Sequence, residues 1–251
     1  MRKRLQNENL ITFLGDFVNY YNLFINKVGK KGVHSHVLMF HDITPEITEA
    51  QLHKETDDDY SVCFERFREI IQWHVDKGYQ FISLDELVSD TISDHQCVIT
   101  FDDGLESVYT LAYPLLKEKH IPFTIYVITG ETGNPGYLSA EQLRELSSDP
   151  LCTIGSHTVG HVMTRFKTDN ELKLELLKSR YDLEKITGRK IVHFAYPYGS
   201  FFAHSRADEP FVVSAGYRTA AITYQDDVKP HCLPYRIPRY DASRNDLLKV
   251  L

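Results

Sequence analysis

Short β-rich runs alternate with helical patterns along most of this sequence, and that order is satisfied by parallel strands with helices packed against them. The runs are Val37 to Phe40, Gln80 to Ile82, Cys97 to Phe101, Phe123 to Val127, Cys152 to Gly155, Ile191 to Ala195 and Arg218 to Ile222. Helical spacing falls near Val62 to Lys77, Glu106 to Lys119, Ser139 to Ser147, Asn170 to Thr187 and Ala203 to Ala215, with Gly78, Gly188 and Gly216 placed as C-caps. Seven strands with helices between them predict an α/β barrel. A chain of 251 residues is long enough to bury one such core.

Ahead of the barrel, apolar residues between Leu10 and Val28 recur at three- and four-residue steps, as on an amphipathic helix. The division expected is a helical extension over 1–32, with Gly29 to Gly32 as a hinge, and the barrel domain over 33–251. Asp16 and the Asn residues exclude a spanning helix there, and packing on the chain's own domain is favoured over contact of residues 10–28 with a membrane surface. No clean apolar run or cleavage site follows the basic start, so a cytoplasmic location is expected. The formal charge of −7 offers no field for a nucleic acid. The acidic stretch Glu55 to Asp59 reads as a solvated loop. Cys63, Cys97, Cys152 and Cys232 form no CxxC pair, and at least three read as buried apolar residues.

Two motifs carry chemistry. In Val98-Ile99-Thr100-Phe101-Asp102-Asp103-Gly104 an apolar strand runs into two carboxylates, at the end of a barrel strand where active sites form. Asp-Asp-Gly also makes a turn and a helix N-cap. In Gly155-Ser156-His157-Thr158-Val159-Gly160-His161 two histidines four residues apart can aim at one point. Together the motifs supply two imidazoles and a carboxylate for a divalent ion, with a second carboxylate beside the bound water.

With these motifs the sequence resembles the polysaccharide deacetylase family of carbohydrate esterases, which removes N- or O-acetyl groups from sugars. Thr100 to Gly104 is similar to its first motif, His157 to His161 to its second, Tyr196-Pro197-Tyr198-Gly199 to much of its third, and Gly216-Tyr217 through Ile222 to its late glycine-tyrosine strand. Val37 to Asp42, with Phe67, Gly78-Tyr79 and Ile82-Ser83-Leu84, resembles the branch that includes the poly-N-acetylglucosamine deacetylases. The resemblance implies a distorted (β/α)₇ barrel. It further implies that Asp103, His157 and His161 bind the metal, that Asp102 is the general base, and that the Tyr198 backbone N–H helps hold the oxyanion. Tyr196, Tyr198 and Phe201 could stack on a sugar ring or pack at the barrel rim. Zinc is the first choice of metal, with cobalt, nickel or iron as substitutes.

The sequence also departs from the family. Many members carry an Arg two residues before the third-motif proline to orient the base, and Ala195 stands there. Arg236 and Arg239 are the candidates to replace it, or ordinary surface pairs. The late leucine-x-histidine motif is absent, and His231 fits poorly. In the branch resembled, a histidine ending the first strand stands near the metal, which makes His41 the expected proton donor. The partner expected is an acetylated carbohydrate, either hydrolysed or, in a catalytically lapsed barrel, only bound.

Overall fold

The computed structural model describes residues 35–46, 60–89, 93–229 and 232–251. The expected helix over 10–28, the hinge, the boundary at 32–33, the acidic loop and His231 all lie outside the described residues. In chain order the main elements are β1 His36–Phe40, β2 Ile43–Thr44, β3 Val62–Cys63, α1 Phe64–Asp76, β4 Gln80–Phe81, α2 Leu84–Ser89, β5 Gln96–Phe101, α3 Tyr113–Glu118, β6 Phe123–Val127, α4 Ala140–Ser148, β7 Cys152–Ser156, α5 Asp169–Thr187, β8 His193–Ala195, α6 Glu209–Ser214, β9 Thr219–Ala221, β10 Tyr240–Asp241 and α7 Leu247–Val250.

Local chemistry accounts for the helices. On α1, Phe67, Ile70, Ile71 and His74 are buried at steps of three, one and three, the stripe of a helix lying on a sheet. Helix α5 opens with a capping box between Thr168 and Glu171 and ends at Gly188, whose φ of 67° is left-handed. The helix expected over 106–119 is instead a π-helical turn, Val108–Ala112, running into α3. Pro114 is the physical reason: it has no N–H to give Thr110, so the ladder widens before α3 begins.

The main sheet is wholly parallel, in the order β10-β1-β5-β6-β7-β8-β9, with β4 also paired to the start of β5. All seven expected strands are present, but β4 lies off this path, and the seventh place belongs to the two-residue β10, which carried no strand signal. The carboxyl-terminal stretch draws the two edges together. Ile237 bridges to Ala221 beside β9, and Tyr240 and Asp241 pair with Leu38 and Met39 of β1. The curled sheet thereby takes the distorted barrel form.

Strand alternation sorts side chains into two cores. Leu38, Phe40, Ile99, Phe101, Phe123 and Ile125 face the helices, whereas Val37, Val98, Tyr126, Ala195, Ala221 and Ile237 fill the inner cluster. The four cysteines are free, and two of them, Cys97 and Cys152, are buried, one fewer than expected. No described helix is long and apolar enough to cross a membrane.

Candidate active site

The parallel strands deliver every motif to one face. Asp102 and Asp103 follow β5, His157 and His161 follow β7, Tyr196 and Tyr198 follow β8, and His41 follows β1, all at carboxyl ends. Asp102 continues the inward side of β5 shared by Val98 and Thr100. Extended backbone would aim Asp103 the other way. Its φ of 70° turns it instead, while the Gly104 N–H closes the turn on the Asp102 carbonyl at 2.9 Å.

Asp103, His157 and His161 each offer one donor atom, and these lie within 4.8 Å of one another. The Asp103 Oδ1 is 3.6 Å from His157 Nε2 and 3.5 Å from His161 Nε2, too long for hydrogen bonds. Four ligands at about 2.1 Å in a tetrahedron stand about 3.4 Å apart, so the spacing is that of ligands around a common ion. The Asp103 Oδ1 is buried without a hydrogen-bond partner. His157 Nδ1 donates to the Ala195 carbonyl at 2.9 Å, which leaves the Nε2 lone pair facing Asp103. Burial pushes His157 down to about 3 and lowers His161 as well, so both imidazoles are neutral. Burial also pushes the Asp103 carboxyl up to about 6, against the charge of His41. The donor set fits a divalent cation.

Arg239 resolves the choice left by Ala195. It is fully buried and grips Asp102 with two parallel bonds, Nη1 to Oδ1 at 2.6 Å and Nη2 to Oδ2 at 2.7 Å. Its Nε donates to the Ile222 carbonyl at 3.1 Å, its Nη1 reaches Thr100 Oγ1 at 3.3 Å, and its guanidinium lies 5.4 Å from the Tyr126 ring centre. Burial alone would raise the Asp102 carboxyl, but the charge and hydrogen bonds of Arg239 prevail and hold it well below the usual carboxylate range. Arg236 pairs instead with Glu209. The one sequence signal for Arg239 was a cation in the otherwise uncharged stretch Ile237-Pro238-Arg239-Tyr240.

Tyr198 has a φ of 62°, packs its ring 4.5 Å from that of His161, and is half exposed. Its backbone N–H makes no hydrogen bond among the described residues. The expectation of a sugar-stacking Tyr196 is corrected: it is 1% exposed and stacks on His204, because it continues the helix-facing side of β8 that Phe194 occupies. Phe201 packs on Phe202 at 4.1 Å. His41 stacks on Tyr60 at 4.7 Å, and its Nδ1 is buried without a hydrogen-bond partner. Tyr60 had drawn no attention in the sequence.

Residues 90–220 match the family described as Polysaccharide deacetylase. The Bacillus subtilis protein YxkH is 28% identical over 170 residues, 66% of this chain and 57% of YxkH. A poly-β-1,6-N-acetyl-D-glucosamine N-deacetylase of Staphylococcus aureus is 29% identical over 199 residues, 72% of this chain and 67% of that protein. The chain thus spans between about half and two thirds of these relatives' lengths. Among solved structures, IcaB from Ammonifex degensii superposes with a TM-score of 0.74 at 24% identity, covering 87% of this chain and 96% of that one. The Streptococcus pyogenes deacetylase PplD, solved in complex with acetate, gives 0.72 at 23% identity, over 83% and 92%. Both likenesses are likenesses of fold.

Proposed function

The chain belongs to the polysaccharide deacetylase family, and from that premise we propose that it is a metal-dependent hydrolase removing acetyl groups from an amino-sugar polymer. The observation that carries this reading is the convergence of Asp103, His157 and His161 beside an Asp102 clamped by Arg239. The names of the staphylococcal relatives favour the amide of N-acetylglucosamine over an ester, and the acetate held by PplD is the product such a reaction releases.

Asp103, His157 and His161 would hold a divalent ion, zinc by preference, which when bound supplies Lewis acidity and lowers the pKa of water toward about 7. Arg239 keeps Asp102 ionised and fixes the plane of its carboxylate, so that a carboxylate oxygen is placed to take the attacking water's proton. The Tyr198 N–H donates to the carbonyl oxygen as that oxygen gains charge. His41 delivers a proton to the departing sugar nitrogen. The products balance as acetate and a free amine. A lapsed barrel has little to recommend it, because the orienting role left open by Ala195 is filled by Arg239.

The test is acetate release from N-acetylglucosamine oligomers by the purified protein loaded with Zn²⁺, alongside Asp102→Asn. We expect release by the wild type, and a loss of turnover by about 10²–10⁴ at unchanged metal content in the variant. Zinc-loaded wild type that binds the oligomers without releasing acetate would overturn the assignment.

A further inference from the structure

The loop between the two histidines is held by a residue outside every motif. Glu175 lies on α5, and its Oε2 accepts from two successive backbone amides of that loop, Val159 N–H at 2.8 Å and Gly160 N–H at 3.1 Å. Successive N–H groups aimed at one carboxylate form a small anion-binding concavity that the chain itself fills. The position of Glu175 is fixed from below. One turn further along α5, Ser179 Oγ meets Ser156 Oγ of β7 at 2.7 Å, locking the helix to the strand that leads into His157.

The loop needs such support. Thr158 and His161 have φ values of 68° and 49°, left-handed conformations that side chains other than glycine adopt only when their surroundings impose them. On the face opposite Glu175, the Thr129 and Gly130 N–H groups donate to the Thr158 and Val159 carbonyls at 3.1 and 2.9 Å. That approach requires a glycine, since a Cβ on Gly130 would stand 2.5 Å from the Val159 oxygen. The loop is therefore clamped between a carboxylate and two amides, and both imidazoles leave from its ends.

We infer that Glu175 is a positioning residue for the metal centre, setting the affinity for a divalent cation by holding the His157–His161 loop in its binding conformation. Its carboxylate meets the loop at the Val159 and Gly160 amides, and it acts through the backbone. This inference rests on the reading of Asp103, His157 and His161 as the metal ligands.

The test is titration of the 251-residue, metal-free chain with Zn²⁺ against a competing chelator, with amide hydrogen exchange read at Val159 and Gly160. Glu175→Ala is expected to weaken Zn²⁺ binding by about 10–100-fold, the range found when support behind a ligand is lost, and to speed exchange at both amides. Glu175→Gln keeps a carbonyl oxygen able to accept from both amides, so it should recover binding to within about fivefold of wild type. It also carries the test should the alanine variant fail to fold. Lys178→Ala, an exposed change on the same helix, should leave affinity unchanged. Glu175→Ala binding Zn²⁺ within about twofold of wild type, with both amides equally protected, would overturn the role of Glu175. Wild type that takes up no Zn²⁺ would instead overturn the metal centre itself.

Discussion

Arg239 and Asp102 form a buried pair whose halves are not separately tolerable. Removing the guanidinium leaves an uncompensated carboxylate in the barrel interior, so Arg239→Ala should lose about 3–5 kcal/mol in urea denaturation. Removing Asp102 as well should return part of that loss, because no lone charge then remains. Additive losses in the double variant would show that the two do not act as a pair. Arg239→Lys should fail too, since an ammonium cannot reproduce two parallel bonds. At His41 the expectation concerns the leaving group. An amide's nitrogen needs a proton to depart, whereas an activated ester's alkoxide needs it less, so His41→Ala should impair N-acetyl hydrolysis far more than hydrolysis of an activated acetyl ester. Equal losses on both substrates would remove His41 from the donor role. Asp102, Asp103, His157 and His161 were legible because each pair is carried by one short motif at a strand end. Arg239 was legible only as one of two candidates beside Arg236, since it meets Asp102 across 137 residues and no local pattern encodes that meeting.

The turns after the strands carry most of the backbone strain. Of the six described residues other than glycine with positive φ, four are Asp103, Thr158, His161 and Tyr198, all at the site. The turn after β8 shows what this costs to disturb. Gly199 has a φ of 54°, and a Cβ there would fall 2.3 Å from Thr223 Cγ2 and 2.6 Å from the Thr223 backbone nitrogen. Gly199→Ala should therefore lower stability by about 1–3 kcal/mol and displace Tyr198, visible as a lower Tm together with reduced turnover. Trimming Thr223 to Ala in the same chain should restore only part, because the backbone nitrogen cannot be trimmed. A fully active Gly199→Ala would show that the position of Tyr198 is immaterial. At this scale the strands were readable from β-rich runs bounded by turns, and α1, α4 and α5 from their apolar stripes. The two-residue β10 and the burial of Tyr196 were not, because each depends on hydrogen bonds or packing made by distant segments, whereas the π-helical turn before α3 follows from Pro114 and was there to be read.

Across the whole molecule, buried histidines set the response to acid. Burial holds His74 near 4, and His157 and His204 near 3, against about 6.5 in an unfolded chain. Between those values the unfolded chain binds more protons, so stability present above pH ~6.5 drains away on acidification, by up to about 1.4 kcal/mol per pH unit for each histidine. Asp103 acts in the opposite sense. Its raised folded value, about 6, lends stability at low pH that is lost as pH rises from about 4 through 6, and in that window it offsets one histidine. Metal-free protein should therefore lose urea stability steadily from pH 7 to 4.5, and a flat profile would contradict neutral burial of these rings. The carboxyl-terminal stretch from Ile237 to Asp241 bears on the order of events during synthesis. It brings together the two edges of the sheet and the counter-ion of Asp102. A nascent chain made only as far as β9 already holds both carboxylates and both histidines, yet Asp102 would stand in the interior without its cation. Closure of the sheet and pairing of Asp102 thus arrive in one step, and a ribosome-bound or clipped intermediate carries the motifs without the assembled site.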